Sequence, residues 1–171
     1  MAKRYWAFRD MTFKHEGYYS PDMYKALWNF ITDQGYGLLE YRYAHGWYGD
    51  HSTQAAVGIW VGTNEIEPKY TISGLDIHWK LVWSMAPKPG DTGDKPEMIP
   101  KGKFSFFMNG SIVVDYLNNW AGSAILRPLF PIRDAYFYRR RKNVLLQRVR
   151  QEAEGIIKDI KEYLNFLPSV R

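Results

Sequence analysis

Hydrophobic positions along the chain follow two periods. Residues 70–83 give the cleanest period of two: Leu75, Ile77, Trp79, Leu81 and Trp83 alternate with Gly74, Asp76, His78 and Lys80. Successive side chains of a strand point to opposite faces, so this pattern predicts a half-buried strand with its aromatic side inward. Residues 54–62 set Ala55, Val57, Ile59 and Val61 against Ala56, Gly58, Trp60 and Gly62, and the glycines beside Trp60 point to a bend or a close approach on that face. Residues 38–47 read as another strand, with Leu39, Tyr41 and Tyr43 on one side. Residues 5–13 alternate loosely, as a first strand or an extended arm. Residues 103–117 form a long strand, or two joined at Asn109-Gly110, a dipeptide that favours a hairpin turn.

The second period is helical. Ser20-Pro21-Asp22 supplies a capping hydroxyl, a proline for the first helical position and an acid for the first turn. Met23, Leu27, Phe30 and Ile31 then share a face and Gly35 ends the element, which predicts a helix over 21–33. Near the end of the chain, Leu146, Val149, Ala153, Ile156, Ile160, Tyr163 and Leu167 recur at steps of three and four. They predict one long helix over 134–166 whose apolar stripe packs on the sheet. The same stripe would also serve to pair two copies as a coiled coil, so a homodimer through this helix is the alternative. Continued backward it meets Lys142 and Arg139, so the first turns are expected to leave the core or face a partner. Residues 87–102, with four prolines and three glycines, read as a loop.

The element order β-α-β-β-β-β-α predicts an α+β fold, a twisted antiparallel sheet against a long C-terminal helix. One domain over 1–171 is expected, with the first strand, the helix and the meander in 5–126 and the basic approach and final helix in 127–171. In element order the chain resembles helix-grip (START-like) domains, in which a sheet wraps a C-terminal helix. It departs from them in having one helix after the first strand where they have two. The resemblance implies a cavity between sheet and helix that holds an apolar or aromatic ligand. Trp60, Trp79, Trp83, Phe104 and Phe106 are then the candidate lining residues.

Composition changes this picture in three ways. Aromatic residues make up 17% of the 171 residues, enough for a thick β-rich core, a lined cavity or stacking surfaces. Cysteine is absent, which excludes disulfides, thiolate catalysis and cysteine-bound metals. The N-terminus carries no apolar signal-like region and no stretch approaches the ~20 apolar residues of a membrane span, so a cytoplasmic protein is expected.

The charge is uneven. Residues 127–150 hold eight Lys/Arg (Arg127, Arg133, Arg139, Arg140, Arg141, Lys142, Arg148, Arg150) and one acid, Asp134, a net +7. The rest of the chain, with fifteen cations and seventeen acids, is at −2, which gives the overall +5. Tyr136 and Tyr138 lead directly into the run at 139–142. Arginine presents a planar fork to phosphate oxygens and a stacking plane to bases, and tyrosine adds stacking faces. An RNA or a ribosomal subunit is therefore the expected partner, bound without chemistry; the bland alternative is a solvated basic helix face.

Catalytic signals are weak. Asp76 and His78 share one strand face, which two metal ligands or an acid–base pair would do, but a solvated strand face does the same. Asp91, Asp94 and Glu97 lack calcium-loop spacing. There is no GxSxG elbow and no phosphate-binding glycine loop, so the sequence implies no cofactor.

Overall fold

The computed structural model describes residues 2–48, 52–90, 96–120 and 122–165. Five strands, β1 (Lys3–Tyr18), β2 (Gly37–Tyr48), β3 (Thr53–Glu67), β4 (Thr71–Pro87) and β5 (Met98–Val114), make one sheet in the order β1-β5-β4-β3-β2. All its pairings are antiparallel. Strands β2 to β5 are the meander that the alternation predicts. Strand β1 pairs with the last strand, Lys3 opposite Val114 and Tyr18 opposite Lys101. Helix α1 (Met23–Asp33) connects β1 at one edge to β2 at the other. After β5 come a 3₁₀ turn (Arg127–Leu129), the single helical turn α2 (Phe130–Ile132), a π turn (Arg133–Phe137) and the long helix α3 (Arg139–Asn165). The chain is an α+β protein in which a twisted antiparallel sheet packs against a long C-terminal helix.

The alternation sorts the sheet into two faces. Leu75, Ile77, Trp79 and Leu81 of β4 join Phe104, Phe106, Met108, Ile112 and Val114 of β5 and Ala56 and Trp60 of β3 in one buried cluster. Met23, Leu27 and Ile31 of α1 cover part of it. Leu145, Val149, Ala153, Ile156, Ile157, Ile160 and Leu164 of α3 cover the rest. Each large aliphatic side chain so buried contributes about 1.5–3 kcal/mol. Leu146 and Tyr163 sit half-buried at the margin of this seam, and Leu167 lies outside the described residues. The stripe that suggested pairing of two copies is therefore covered by the sheet. The close approach expected on β3 is present: Trp79 lies across Gly58, where an added Cβ would stand 2.3 Å from its Nε1.

Several local expectations are corrected. Of the two readings of residues 103–117, the single long strand is present, and β5 runs straight through Asn109-Gly110. Phe8 packs over Gly110, where a Cβ would come within 2.2 Å of its ring. Asn109 Oδ1 accepts the Asp10 N–H at 2.8 Å, at an irregularity in β1 where Asp10 has φ 58°. Leu39, Tyr41 and Tyr43 do not share a face. Glu40 pairs with Trp60 and Arg42 with Ile59, so Tyr41 is an extra residue that reverses the alternation. Leu39 and Tyr41 are exposed, while Tyr43 turns its ring to Tyr24 at 5.5 Å. Helix α1 starts at Met23, because Ser20 Oγ accepts the Asp22 N–H in a preceding turn. The loop before β5 is shorter than 87–102, since Met98 to Gly102 already pair with β4. Its acids Asp91 and Asp94 lie outside the described residues. The last helix does not run unbroken from 134: the π turn ends at Phe137, Tyr138 follows it, and α3 begins at Arg139.

Candidate nucleic-acid interface

The basic segment is fastened to the sheet by its inward side chains. Phe130, Asp134 and Tyr138 recur every four residues and all three are buried. The Tyr138 N–H bonds the Arg133 carbonyl at 2.9 Å, five residues back, and this widened turn carries Asp134 and Tyr138 onto the same side. The Tyr138 hydroxyl donates to Glu67, as does the Thr71 hydroxyl, and the Arg141 guanidinium pairs with the same carboxylate. Asp134 receives the Tyr5 hydroxyl and faces the ammonium groups of Lys3 and Lys142, each at 3.5 Å. The Lys142 ammonium also lies 4.1 Å over the Tyr5 ring. The Arg133 guanidinium is held between the rings of Tyr70 and Trp120, at 4.1 and 4.4 Å.

These contacts set the protonation of the anchor. Burial works to raise the Glu67 carboxyl, but the Thr71 and Tyr138 hydroxyls and the Arg141 charge outweigh it and hold the group below the usual carboxylate range. Burial and the neighbouring Glu67 push the Tyr138 phenol up. The Tyr5 phenol rises for the same reason, through burial and Asp134.

The cations named from sequence thus fall into two groups. Arg133, Arg141 and Lys142 belong to the anchor. Lys142 in particular does not leave the core as the extended stripe suggests, because Asp134 and Tyr5 give it a site with its side chain 15% exposed. Arg148 and Arg150 pair with Glu152 and Glu154 one turn along α3, at 2.8 and 3.0 Å. Arg127, Arg139 and Arg140 are exposed and have no partner among the described residues. Of the two tyrosines, Tyr138 is buried with its ring edge-on to Tyr70, so it offers no free face. Tyr136 is 79% exposed, and Phe137, which was not among the expected contact residues, is 81% exposed. Beside Phe137 a hollow of about 420 Å³ is lined by Glu67, Tyr70, Arg133, Tyr138 and Arg141.

The outward side of this segment is also apolar. Ile125, Leu129, Ile132 and Tyr136 follow at steps of four, three and four and are all exposed. That periodicity is present in the sequence. It was hidden by the prolines at 128 and 131 and by the interleaved inward set.

The other assigned residues lie apart from this surface. Trp60, Phe104 and Phe106 are filled into the core, no more than 1% exposed. Trp79 and Trp83 line a small cavity together with residues of α1 and β2. Asp76 pairs with Arg4 at 3.7 Å, and His78 lies edge-on to Phe107, both on the sheet face opposite the helices. Among the described residues no three His, Asp or Glu side chains converge. The sequence matches no protein-family model and no curated protein.

Proposed function

We propose that this protein binds RNA, free or within a ribosomal subunit, through Arg127, Arg139, Arg140, Tyr136 and Phe137. The observation that carries this reading is three guanidinium groups without a partner among the described residues, on one short segment with two rings about 80% exposed. Exposed rings stack on bases of any sequence, and exposed guanidinium forks donate to phosphate oxygens at little cost in broken ion pairs. The anchor beneath keeps the segment in one conformation, so little ordering is needed on binding.

Three phosphate contacts to a single strand give a salt slope near −2, at about −0.7 each. Replacing Arg127, Arg139 and Arg140 together with Gln is expected to remove most of that slope in filter binding to single-stranded RNA. Stability should change by less than about 1 kcal/mol, because exposed charges contribute little. Phe137→Ala should weaken binding by about 1–3 kcal/mol with the slope intact. An unchanged slope in the triple variant, with the protein still folded, rejects this surface as the binding site.

A second reading is favoured by one observation, the exposed aliphatic side chains of Ile125, Leu129 and Ile132. Bases make no stacking use of them, whereas an anionic lipid surface takes apolar side chains and arginines together. No helix among the described residues is long and apolar enough to cross a membrane, so this is attachment to a surface. Sedimentation with phosphatidylserine vesicles separates the two: binding lost in Ile125→Ser with Leu129→Ser, without RNA binding in the native protein, replaces the first reading by the second.

A further inference from the structure

On the face of the sheet turned away from the helices, the strand registers align Thr12 of β1, Phe107 of β5, His78 of β4, Ile59 of β3 and Arg42 of β2. This row crosses all five strands, and four inter-strand steps of about 4.8 Å make it about 19 Å long. Two hollows lie along it. One, of about 430 Å³, takes in the whole row. The other, of about 460 Å³, shares Arg42, Ile59 and His78 and adds Tyr41, the extra residue of β2, which is 70% exposed. Phe107 and Ile59 are half-buried and give the trough an apolar floor, while His78 and Arg42 are exposed. In the adjoining row Lys14 and Lys80 stand on either side of Ser105, and both are exposed.

Charge selects the occupant. Lys14, Arg42 and Lys80 all line the larger part of the row, and Lys14 and Arg42 have no acid partner among the described residues. Asp76, which lines the second hollow, is paired with Arg4. A second copy laid on this face would bring the same cations towards each other, which like charges resist. A bilayer takes apolar side chains that project, whereas Phe107 and Ile59 are recessed beside longer cations. A polyanion with flat apolar rings meets both the rim and the floor. The face is also continuous with the arginine surface. Lys3 faces Asp134 in the anchor, and the next residue, Arg4, is on the opposite face of β1, a free edge of the sheet. There Arg4 and Arg9 both lie over the Trp6 ring, at 5.5 and 4.6 Å.

We infer that this face is a second RNA surface, on which bases of a single strand lie along the Thr12–Arg42 row with phosphates on Lys14 and Arg42. The inference rests on the RNA reading and adds to it the class of RNA. A sheet face takes roughly two or three unstacked bases, which a duplex does not offer. Uridine dodecamer and a duplex hairpin of equal length are the probes, followed by fluorescence anisotropy with the full chain. The single strand is expected to bind tighter. Tyr41→Ala with His78→Ala should weaken the single strand about fivefold or more and leave the hairpin unchanged. Lys14→Gln with Arg42→Gln should lower the salt slope by about 1.4, at about 0.7 per phosphate. Ultraviolet cross-linking of the native chain to the dodecamer should mark peptides holding Tyr41 or His78, and it decides alone should a variant fail to fold. Cross-links confined to 125–141, with unchanged affinity in the Tyr41/His78 variant, overturn this inference and leave the arginine surface standing. Equal affinity for strand and hairpin overturns it too, and no RNA binding at all removes both readings. A dimer that Tyr41→Ala splits, without these cross-links, gives the face to a second copy instead.

Discussion

Glu67 collects the Thr71 and Tyr138 hydroxyls and the Arg141 guanidinium, and through them fixes the basic segment to β3 and β4. Tyr138→Phe removes one charge-assisted hydrogen bond and should cost about 1.5–3 kcal/mol in denaturant unfolding. The pH dependence follows from the direction of the Glu67 shift. Its carboxyl is held lower in the folded chain than in the unfolded one. The stability it contributes is therefore complete above the unfolded value of about 4.3 and is lost as pH falls through the folded value. Glu67→Gln should be less stable at neutral pH and show a flatter loss of stability below about pH 4. Equal acid sensitivity of both proteins would show that the loss originates elsewhere. At this scale sequence was a poor guide. A run of four basic residues looks uniform on paper, yet Arg139 and Arg140 face solvent while Arg141 and Lys142 meet Glu67 and Asp134. Those acids lie 74 and 8 residues away in the chain, one too distant and one too near to be noticed as partners.

Elements were far more legible, because periodicity is a local property. The alternation of β4 assigned its buried face from Leu75 to Leu81, with Trp83 half-buried at its end, and the stripe of α3 located the start of the seam to within one position, Leu145 replacing Leu146. Errors arose where one residue is added to a regular pattern: Tyr41 in β2 and the widened turn before Tyr138. Such insertions are set by tertiary contacts, the Glu40–Trp60 bond in one case and the Glu67 anchor in the other. The helix itself is tested by Ile156→Asp. That side chain is 0% exposed, so a carboxylate there is cut off from water. The substitution should cost more than about 4 kcal/mol, or prevent folding, as read by urea denaturation. A folded variant with near-native stability would mean that α3 is held by something other than its seam.

At the scale of the molecule the charge and the cavity lie on different parts of the sheet. The arginine surface is carried by the chain that leaves β5 at Val114, beside the start of β4. The aromatic cavity involves Leu81 and Trp83, farther along β4, and Pro100, near the start of β5. The meander was visible in sequence because neighbours in the chain are neighbours in the sheet. The place of β1 was not, since nothing local in residues 3–18 says which strand they meet. That pairing has a temporal consequence. On a ribosome adding about 5–20 residues per second, Lys3 is made roughly 5–20 s before Val114, the residue opposite it. Throughout that interval the first strand has no ladder to join, and four other strands are made before the sheet can close on it. Nascent chains stalled near residue 100 should accordingly remain open to protease within residues 3–18, and released full-length chains should resist. Protection of that segment at the earlier stall would mean that it finds shelter before its native partner exists.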